Sequence, residues 1–543
     1  MSKRIHWLAA ATSRREVWGF AALLTVGQVS LFHRMLWTGL RETVGDYVNQ
    51  ILCNFILEHP YLWLIRRPDH ASFWDPPIYY PTRNVFAYAE TLLGTGPVYW
   101  LWRLLGFPAD TAHQLWAMTL PVLAFSAAYL LFRSGFRFAA LPSLAGSYVC
   151  AFGKTLAAQI NNPQLHTLVY TYLGLYCLCR VVRSEERQPL WVLGLFASVV
   201  GQLYACFYLG WFYVFFLGLA GLAALAMPRL RPRLLGALRR NLLSVMVGAA
   251  AAGLAMAPLV VHSLEVVRAM GWAGDASTPF LPRLESWLYP GRRAPLYFWL
   301  GRMPFFQGIP GEPEQRLFIG AVTLVCAGLG GLWSWRESPW MRLLAVLTVS
   351  LVVLTTELPG GFSLWHAVRA AVPGARALRI VSRVGVLLAF PAGVGLAAFF
   401  SRPRRTVATA LLLGLCLADQ AYSEYTFSKI RTREVVAAYA AAVPPGCRNA
   451  YLAVRTAPGA DRPHWVFQEE IQLSELARGV PLVNGGYTRF YPPGYGMLGR
   501  NVFSSPEERA LIRRDFDAWL TLHGLSPRDV CWIEVPDPHQ RLR

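Results

Sequence analysis

Charge is scarce in this chain. Only 15% of its 543 residues are charged, where a soluble protein carries about a quarter, and the charges come in bursts between apolar blocks. A string of ordinary soluble domains is thereby excluded. Lysine is nearly missing, with Lys3, Lys154 and Lys429 the only three, a compositional habit without mechanistic content. The nine cysteines show no metal-type spacing. Cys150, Cys177, Cys179, Cys206, Cys326 and Cys416 lie inside apolar blocks, where a thiol serves as a packing residue. There is no internal repeat, no low-complexity tract and no evident cleavable signal peptide. Basic Met1 to Arg15 instead leads into an apolar stretch from Val17, long enough to remain as an anchor.

What is abundant is hydrophobicity: 55% of residues, a mean hydropathy of +0.34 and 20 tryptophans. Apolar blocks recur at 17–36, 113–132, 139–158, 165–182, 190–207, 210–227, 242–262, 317–335, 341–356, 384–400 and 405–422. Most are about the length a helix needs to cross roughly 30 Å of hydrocarbon. The expected fold class is a polytopic α-helical membrane protein with about eleven transmembrane helices and a small C-terminal α/β extracytoplasmic domain. The net charge of +20 is not the footprint of a nucleic-acid binder. Its arginines gather in short connections: Arg133 and Arg137, Arg180 to Arg187, Arg229 to Arg240, Arg336 and Arg342, Arg402 to Arg405. Placing all of these inside gives a consistent alternation. The N-terminus is then cytoplasmic, and 39–112, 159–164, 263–316, 357–383 and 423–543 share the outer face. Leu92–Leu105 breaks the parity if it spans. It is short and holds Gly94, Gly96, Pro97 and Arg103, which favours a helix lying in the outer interface, with a true span as the alternative.

Two domains follow: a transmembrane domain over 1–422 with the long outer loop 39–112, and an extracytoplasmic α/β domain over 423–543. In the latter, Asn449–Val454 and Val530–Val535 predict strands. Glu469–Arg478 and Pro506–His523 predict helices, the second capped by Ser504 or Ser505. Cys447 and Cys531 sit beside the strands and would pair in an oxidising compartment; two separate thiols, or competition from Cys53, are the alternatives.

The outer loops hold the residues fit for chemistry. The first carries Gly45-Asp46-Tyr47, then Phe73-Trp74-Asp75-Pro76-Pro77-Ile78-Tyr79-Tyr80-Pro81, then Ala87-Tyr88-Ala89-Glu90. A carboxylate among aromatics at a membrane surface can accept a proton from a sugar hydroxyl or hold a divalent ion; helix capping is the plainer role. A polar turn, Gln159…Asn161-Asn162-Pro163-Gln164-Leu165-His166, follows Lys154, the sole lysine in an apolar block. Later come Pro373-Gly374-Ala375-Arg376-Ala377-Leu378-Arg379 with Arg383, and Val483-Asn484-Gly485-Gly486-Tyr487. In this order and sidedness the motifs resemble the type C glycosyltransferase superfamily, more narrowly its YfhO-like bacterial branch, over essentially the whole chain.

The resemblance implies an enzyme of the bacterial cytoplasmic membrane, moving sugar from a polyprenyl-phosphate donor to a glycan, lipid or protein acceptor at the outer face. It makes Asp46 the catalytic base or metal-site residue, with Glu90 as the second catalytic candidate. No acid adjoins Asp46, so the cofactor stays open, a divalent cation being the candidate. Lys154, Gln159, His166, Arg379, Arg383, Tyr80 and Trp287 are the candidate substrate contacts, all expected at one outer-leaflet cleft. Arg379 and Arg383, four apart, would share a helical face if the helix starts early and would suit a phosphate. Trp287, between Glu285 and Tyr289, would stack on a pyranose. Snorkelling or interfacial anchoring accounts for the basic residues, His166 and Trp287 in the plainer reading. A transporter or flippase of a lipid-linked glycan, or a non-catalytic assembly subunit, is the alternative function. Transporters, however, are marked by repeats and broken helices.

Overall fold

In the computed structural model, residues 13–272, 280–456, 463–486 and 491–541 are described; Met1, Lys3, Arg4 and Tyr487 lie outside them. The chain is mostly helical, and each apolar block named above contains a helix. Five helical segments among the described residues are long and apolar enough to cross a bilayer: Ala109–Gly135, Pro163–Arg183, Phe207–Ala226, Leu242–Met270 and Val381–Phe400. Pro189–Ala205, Ala321–Trp335, Pro339–Thr355 and Thr406–Asp419 are shorter, roughly 21–26 Å at 1.5 Å per residue. The block expected as one helix over 139–158 is two, Ala140–Phe152 and Lys154–Ala157, because Gly153 is extended at φ −61, ψ 151. Gly96–Leu104 has nine residues, about 14 Å long and too short to cross.

Two compact units emerge. The first holds the described residues 13–36, 117–255 and 280–424. The helix Ala389–Phe400 runs through its centre, buried along nearly its whole length, between Ala140–Phe152 on one side and Ala321–Trp335 on the other. Close approach depends on small residues, as between helices in lipid. A Cβ on Gly146 would lie 2.6 Å from the Gly393 carbonyl oxygen, and one on Gly330 2.0 Å from that of Gly395.

The second unit holds 37–116, 256–272 and the described residues from 425 onward. Its sheet has three parallel strands with Ala450–Thr456 in the middle, flanked by Val502–Phe503 and Val530–Pro536. His464–Arg478 and Pro506–Leu522 are the crossover helices, so this part is α/β. Ser505 caps the second helix, accepting the Glu508 N–H at 3.3 Å. Cys447 and Cys531, 84 positions apart in the sequence, form a disulfide with Cα atoms 6.0 Å apart, a closure that typically contributes about 2–4 kcal/mol.

Residues of the first loop belong to this same unit. Glu42–Val44 pairs antiparallel with Thr426–Ser428, and Leu482 donates to the Pro77 carbonyl at 2.9 Å while Tyr79 donates to that of Asn484 at 3.1 Å. The loop also contains an 18-residue helix, Tyr47–Leu64, that packs on His464–Arg478. The sequence patterning hid it because its buried face carries Gln50, Asn54, Glu58 and His59 beside the apolar residues. The partner helix starts five residues earlier than expected and is buried from Val466 to Glu475 despite two glutamines and three glutamates.

Candidate functional site

In the first unit the polar turn is built where the 139–158 block breaks. Gly153 leaves the helix, and Gln420 mends the break by accepting the Lys154 N–H at 2.8 Å. The Gln420 amide donates to the Ile319 carbonyl at 3.0 Å and to Thr323 Oγ1 at 2.6 Å. Lys154 itself is 1% exposed. Its ammonium sits 3.8 Å from the Tyr297 ring centroid and has no hydrogen-bond acceptor among the described residues. Asp419 is the nearby carboxylate, but its oxygens are engaged by the Tyr297 hydroxyl and by the Thr323 N–H at 2.8 Å. The arrangement leaves a buried ammonium against an aromatic face, with no protein carboxylate hydrogen-bonded to it among the described residues.

Gln159 and Arg383 are brought together through Asn162 of the polar turn and through Pro313 and Glu314, which the sequence did not single out. The Arg383 guanidinium donates to Asn162 Oδ1 at 3.1 Å and Glu314 Oε1 at 3.0 Å and lies 4.5 Å over the Tyr208 ring. Asn162 in turn donates to Glu314 at 3.3 Å, and Gln159 donates to the Pro313 carbonyl at 3.3 Å. His166 is buried at the end of the Pro163–His166 turn. Arg379 does not share a helical face with Arg383. Its carbonyl accepts the Phe280 N–H at 2.8 Å and Ile380 bridges Phe280, so the backbone is extended there and turns helical only at Val381. Trp287 is half-buried and donates to Thr356 Oγ1 at 2.9 Å. Beside it Glu312 clasps Arg316 at 2.9 and 3.0 Å, and Arg316 reaches Glu424 at 2.7 Å.

In the second unit Asp46 is exposed and is the N-cap of Tyr47–Leu64, accepting the Asn49 N–H at 3.0 Å. Among the described residues it joins no set of three metal-type side chains. Asp75 ties its own loop, accepting from Ser72 at 2.7 Å and from the Asn84 N–H at 2.5 Å. Tyr80 is half-buried, and its carbonyl accepts the Trp519 indole N–H at 3.1 Å. Glu90 is half-buried on the same loop. Asn484, from the last sequence motif, is wholly buried and pairs both ways with Ala453, at 2.8 and 2.9 Å, a structural duty. The candidates thus divide: Lys154, Gln159, His166, Arg379, Arg383 and Trp287 belong to the first unit, and Asp46, Glu90 and Tyr80 to the second.

Most of the polar chemistry inside the second unit escaped the sequence reading. A cavity of about 430 Å³ is lined by Gln50, Asn54, Asp110, Lys429 and Arg433 over a floor that includes Leu473, a volume suited to a small molecule. Arg433 grips Asp110 at 2.5 and 2.7 Å, and Lys429 donates to Thr111 and Gln114 at 2.9 Å each. Burial pushes the Lys429 ammonium down from its ordinary value, against the pull of Asp110. Glu470 accepts from Tyr47 at 2.9 Å and pairs with His539 at 2.8 Å, while burial holds Glu469 well above the usual carboxylate range. The sequence analysis placed Glu469 and Glu470 on the expected helix Glu469–Arg478 but had no signal that they are buried. No protein-family model matches the chain, and no curated protein matches it.

Proposed function

We propose that this chain is an integral membrane glycosyltransferase. It takes a sugar from a polyprenyl phosphate and transfers it to a glycan, lipid or protein acceptor at the outer face of the bacterial cytoplasmic membrane. In this reading the bilayer is crossed about eleven times, the shorter apolar helices being completed by their adjoining turns, with the N-terminus inside and 423–543 outside. The basic connections support that sidedness, and the Cys447–Cys531 disulfide fits an oxidising compartment.

The observation that carries the proposal is Lys154. A buried ammonium without a hydrogen-bond acceptor is unfavourable unless an anion joins it, and an ionisable group among apolar helices is a functional group by default. The phosphate of a polyprenyl carrier is such an anion, and its lipid tail suits the apolar helices around the site. In the transfer, the acceptor hydroxyl loses its proton to a carboxylate base and its oxygen bonds the anomeric carbon. The bond from that carbon to the phosphate oxygen breaks, and polyprenyl phosphate leaves with the electron pair, its charge met by Lys154.

One observation favours the transporter reading. The apolar block 139–158 breaks at Gly153 into Ala140–Phe152 and Lys154–Ala157, and broken helices mark transport sites. The two readings part on one experiment. Lys154→Met, reconstituted in proteoliposomes, is expected to raise the KM for polyprenyl-phosphate sugar roughly 10- to 150-fold, the equivalent of one charge-assisted contact, with Lys154→Arg retaining part of the affinity. Release of free polyprenyl phosphate by the wild type marks transfer. Movement of intact donor across the vesicle without such release would replace the enzyme by a flippase.

A further inference from the structure

The second unit contains a buried cluster that the proposed reaction does not use. His59, on the helix Tyr47–Leu64, and His70 are both 0% exposed, and their Nδ1 atoms lie 2.7 Å apart. His59 Nε2 is 2.9 Å from the Phe73 carbonyl oxygen, which can only accept, so Nε2 carries a proton. With a neutral ring, His59 Nδ1 is then the acceptor, and His70 Nδ1–H donates to it. The proton positions follow from the partners, and they leave His70 Nε2 as a bare lone pair.

That lone pair faces two carboxylates. Asp69 Oδ2 and Glu475 Oε2 are each 3.5 Å from it. Lone pair against carboxylate is repulsive, and none of His70 Nε2, Asp69 Oδ2 or either oxygen of Glu475 finds a hydrogen bond among the described residues. Glu475 is wholly buried. The other oxygen of Asp69 is held by Arg67 Nε at 2.9 Å, and Arg67 Nη2 is fixed on the Leu476 carbonyl at 2.7 Å. Asp69 and His70 are therefore oriented from behind, and their unused atoms lie, with a Glu475 oxygen, within 4.8 Å of one another.

We infer that Asp69, His70 and Glu475 bind one divalent transition-metal ion, with zinc the best match. One imidazole nitrogen and two carboxylate oxygens form a donor set that zinc accepts, at roughly 2.0–2.2 Å from the metal. Tetrahedral geometry at that radius separates the ligand atoms by about 3.3–3.6 Å, close to the two 3.5 Å separations, and the three ligand atoms all lie within 4.8 Å of one another. Two carboxylates neutralise the dication. The chain from His70 through His59 to the Phe73 carbonyl is the outer-shell hydrogen bonding that orients a metal-bound imidazole. The ion would fasten the Asp69-His70 segment to the helix His464–Arg478 within this unit. The inference is independent of whether the chain transfers sugars.

The test uses full-length protein in detergent, stripped by a chelator and titrated with zinc chloride. Uptake of one zinc per chain and a rise in thermal midpoint are expected, and cobalt should give the absorption bands of a four-coordinate site. Glu475→Gln and Asp69→Asn, each nearly isosteric, should weaken zinc binding more than tenfold and remove most of the thermal shift. If Glu475→Gln does not fold, Asp69→Asn alone decides. Zinc uptake unchanged in both variants would place the ion elsewhere and overturn the assignment. So would a wild type that takes up no zinc, cobalt or manganese while Glu475→Gln melts higher, since that pattern means the cluster is held by a proton on Glu475.

Discussion

Asp46→Asn should lose between 10² and 10⁴ of the sugar-transfer rate, the usual contribution of a positioned general base, while melting at the wild-type temperature. The structure makes this substitution unusually clean. Asp46 already has a structural duty as the exposed N-cap of Tyr47–Leu64, and asparagine caps a helix as well as aspartate does. Its amide oxygen can keep the 3.0 Å contact with the Asn49 N–H, so only the charge and the proton-accepting capacity disappear. Asp46→Ala, by contrast, removes the cap as well and should lower stability by about 1 kcal/mol. Comparing the two separates a base from a cap. Rates are to be measured as single turnovers with polyprenyl-phosphate sugar. A variant that turns over near normally, with its helix intact, leaves Asp46 as a cap and moves the base role to Glu90 or Asp75. Of these, Asp75 is the poorer candidate, since both of its oxygens are engaged within the loop, at 2.7 and 2.5 Å.

Hydrophobic blocks declared themselves in the sequence because a helix surrounded by apolar neighbours is apolar on every side. Each therefore contains a helix in the structure. The strands Ala450–Thr456 and Val530–Pro536 were equally legible: β-rich runs beside turn residues, displaced by at most two residues from the expectation. The cap at Ser505 followed from the serines and acids around it. What did not declare itself was the helix Tyr47–Leu64, nor that the expected helix Glu469–Arg478, which starts at His464, buries its acids. The two helices bury Glu58, His59, Glu469, Glu470 and Glu475, and a polar buried face has no hydrophobic period to show which side packs. The partners that make its burial tolerable are remote in the chain: Tyr47 lies 423 residues from Glu470. Only the folded chain shows which acid meets which base. The same limit applied to Asn162 and Glu314, which lie 152 residues apart and jointly hold Arg383. Lys154 was visible as the odd residue in an apolar block, but not the break at Gly153 that makes room for it.

Glu58 supplies the largest expected change in stability. It is 3% exposed and receives Arg103 through both oxygens at 2.8 Å each, together with the Tyr99 hydroxyl at 2.5 Å. Arg103 lies on the short helix Gly96–Leu104 and rests its guanidinium 4.9 Å from the Tyr61 ring, so one residue joins two helices of the second unit. Arg103→Met keeps the length of the apolar stem but removes the fork of donors. Glu58 is then a buried carboxylate with a single phenol for company. Breaking a buried pair from one side typically costs about 3–5 kcal/mol, because the surviving charge stays desolvated. The effect should be read from denaturant unfolding of the full chain in nanodiscs, using tryptophan fluorescence. Removing both partners, as Glu58→Met with Arg103→Met, should recover most of the loss, since a buried pair and an apolar pair of like volume are often close in stability. Glu58→Gln alone should be milder, because the Arg103 side chain is 20% exposed and can turn its head to water. The diagnostic is that ordering: Arg103→Met worst, Glu58→Gln intermediate, the double variant nearest to wild type. Equal losses in all three would mean that packing, and not charge, governs this contact between Tyr47–Leu64 and Gly96–Leu104.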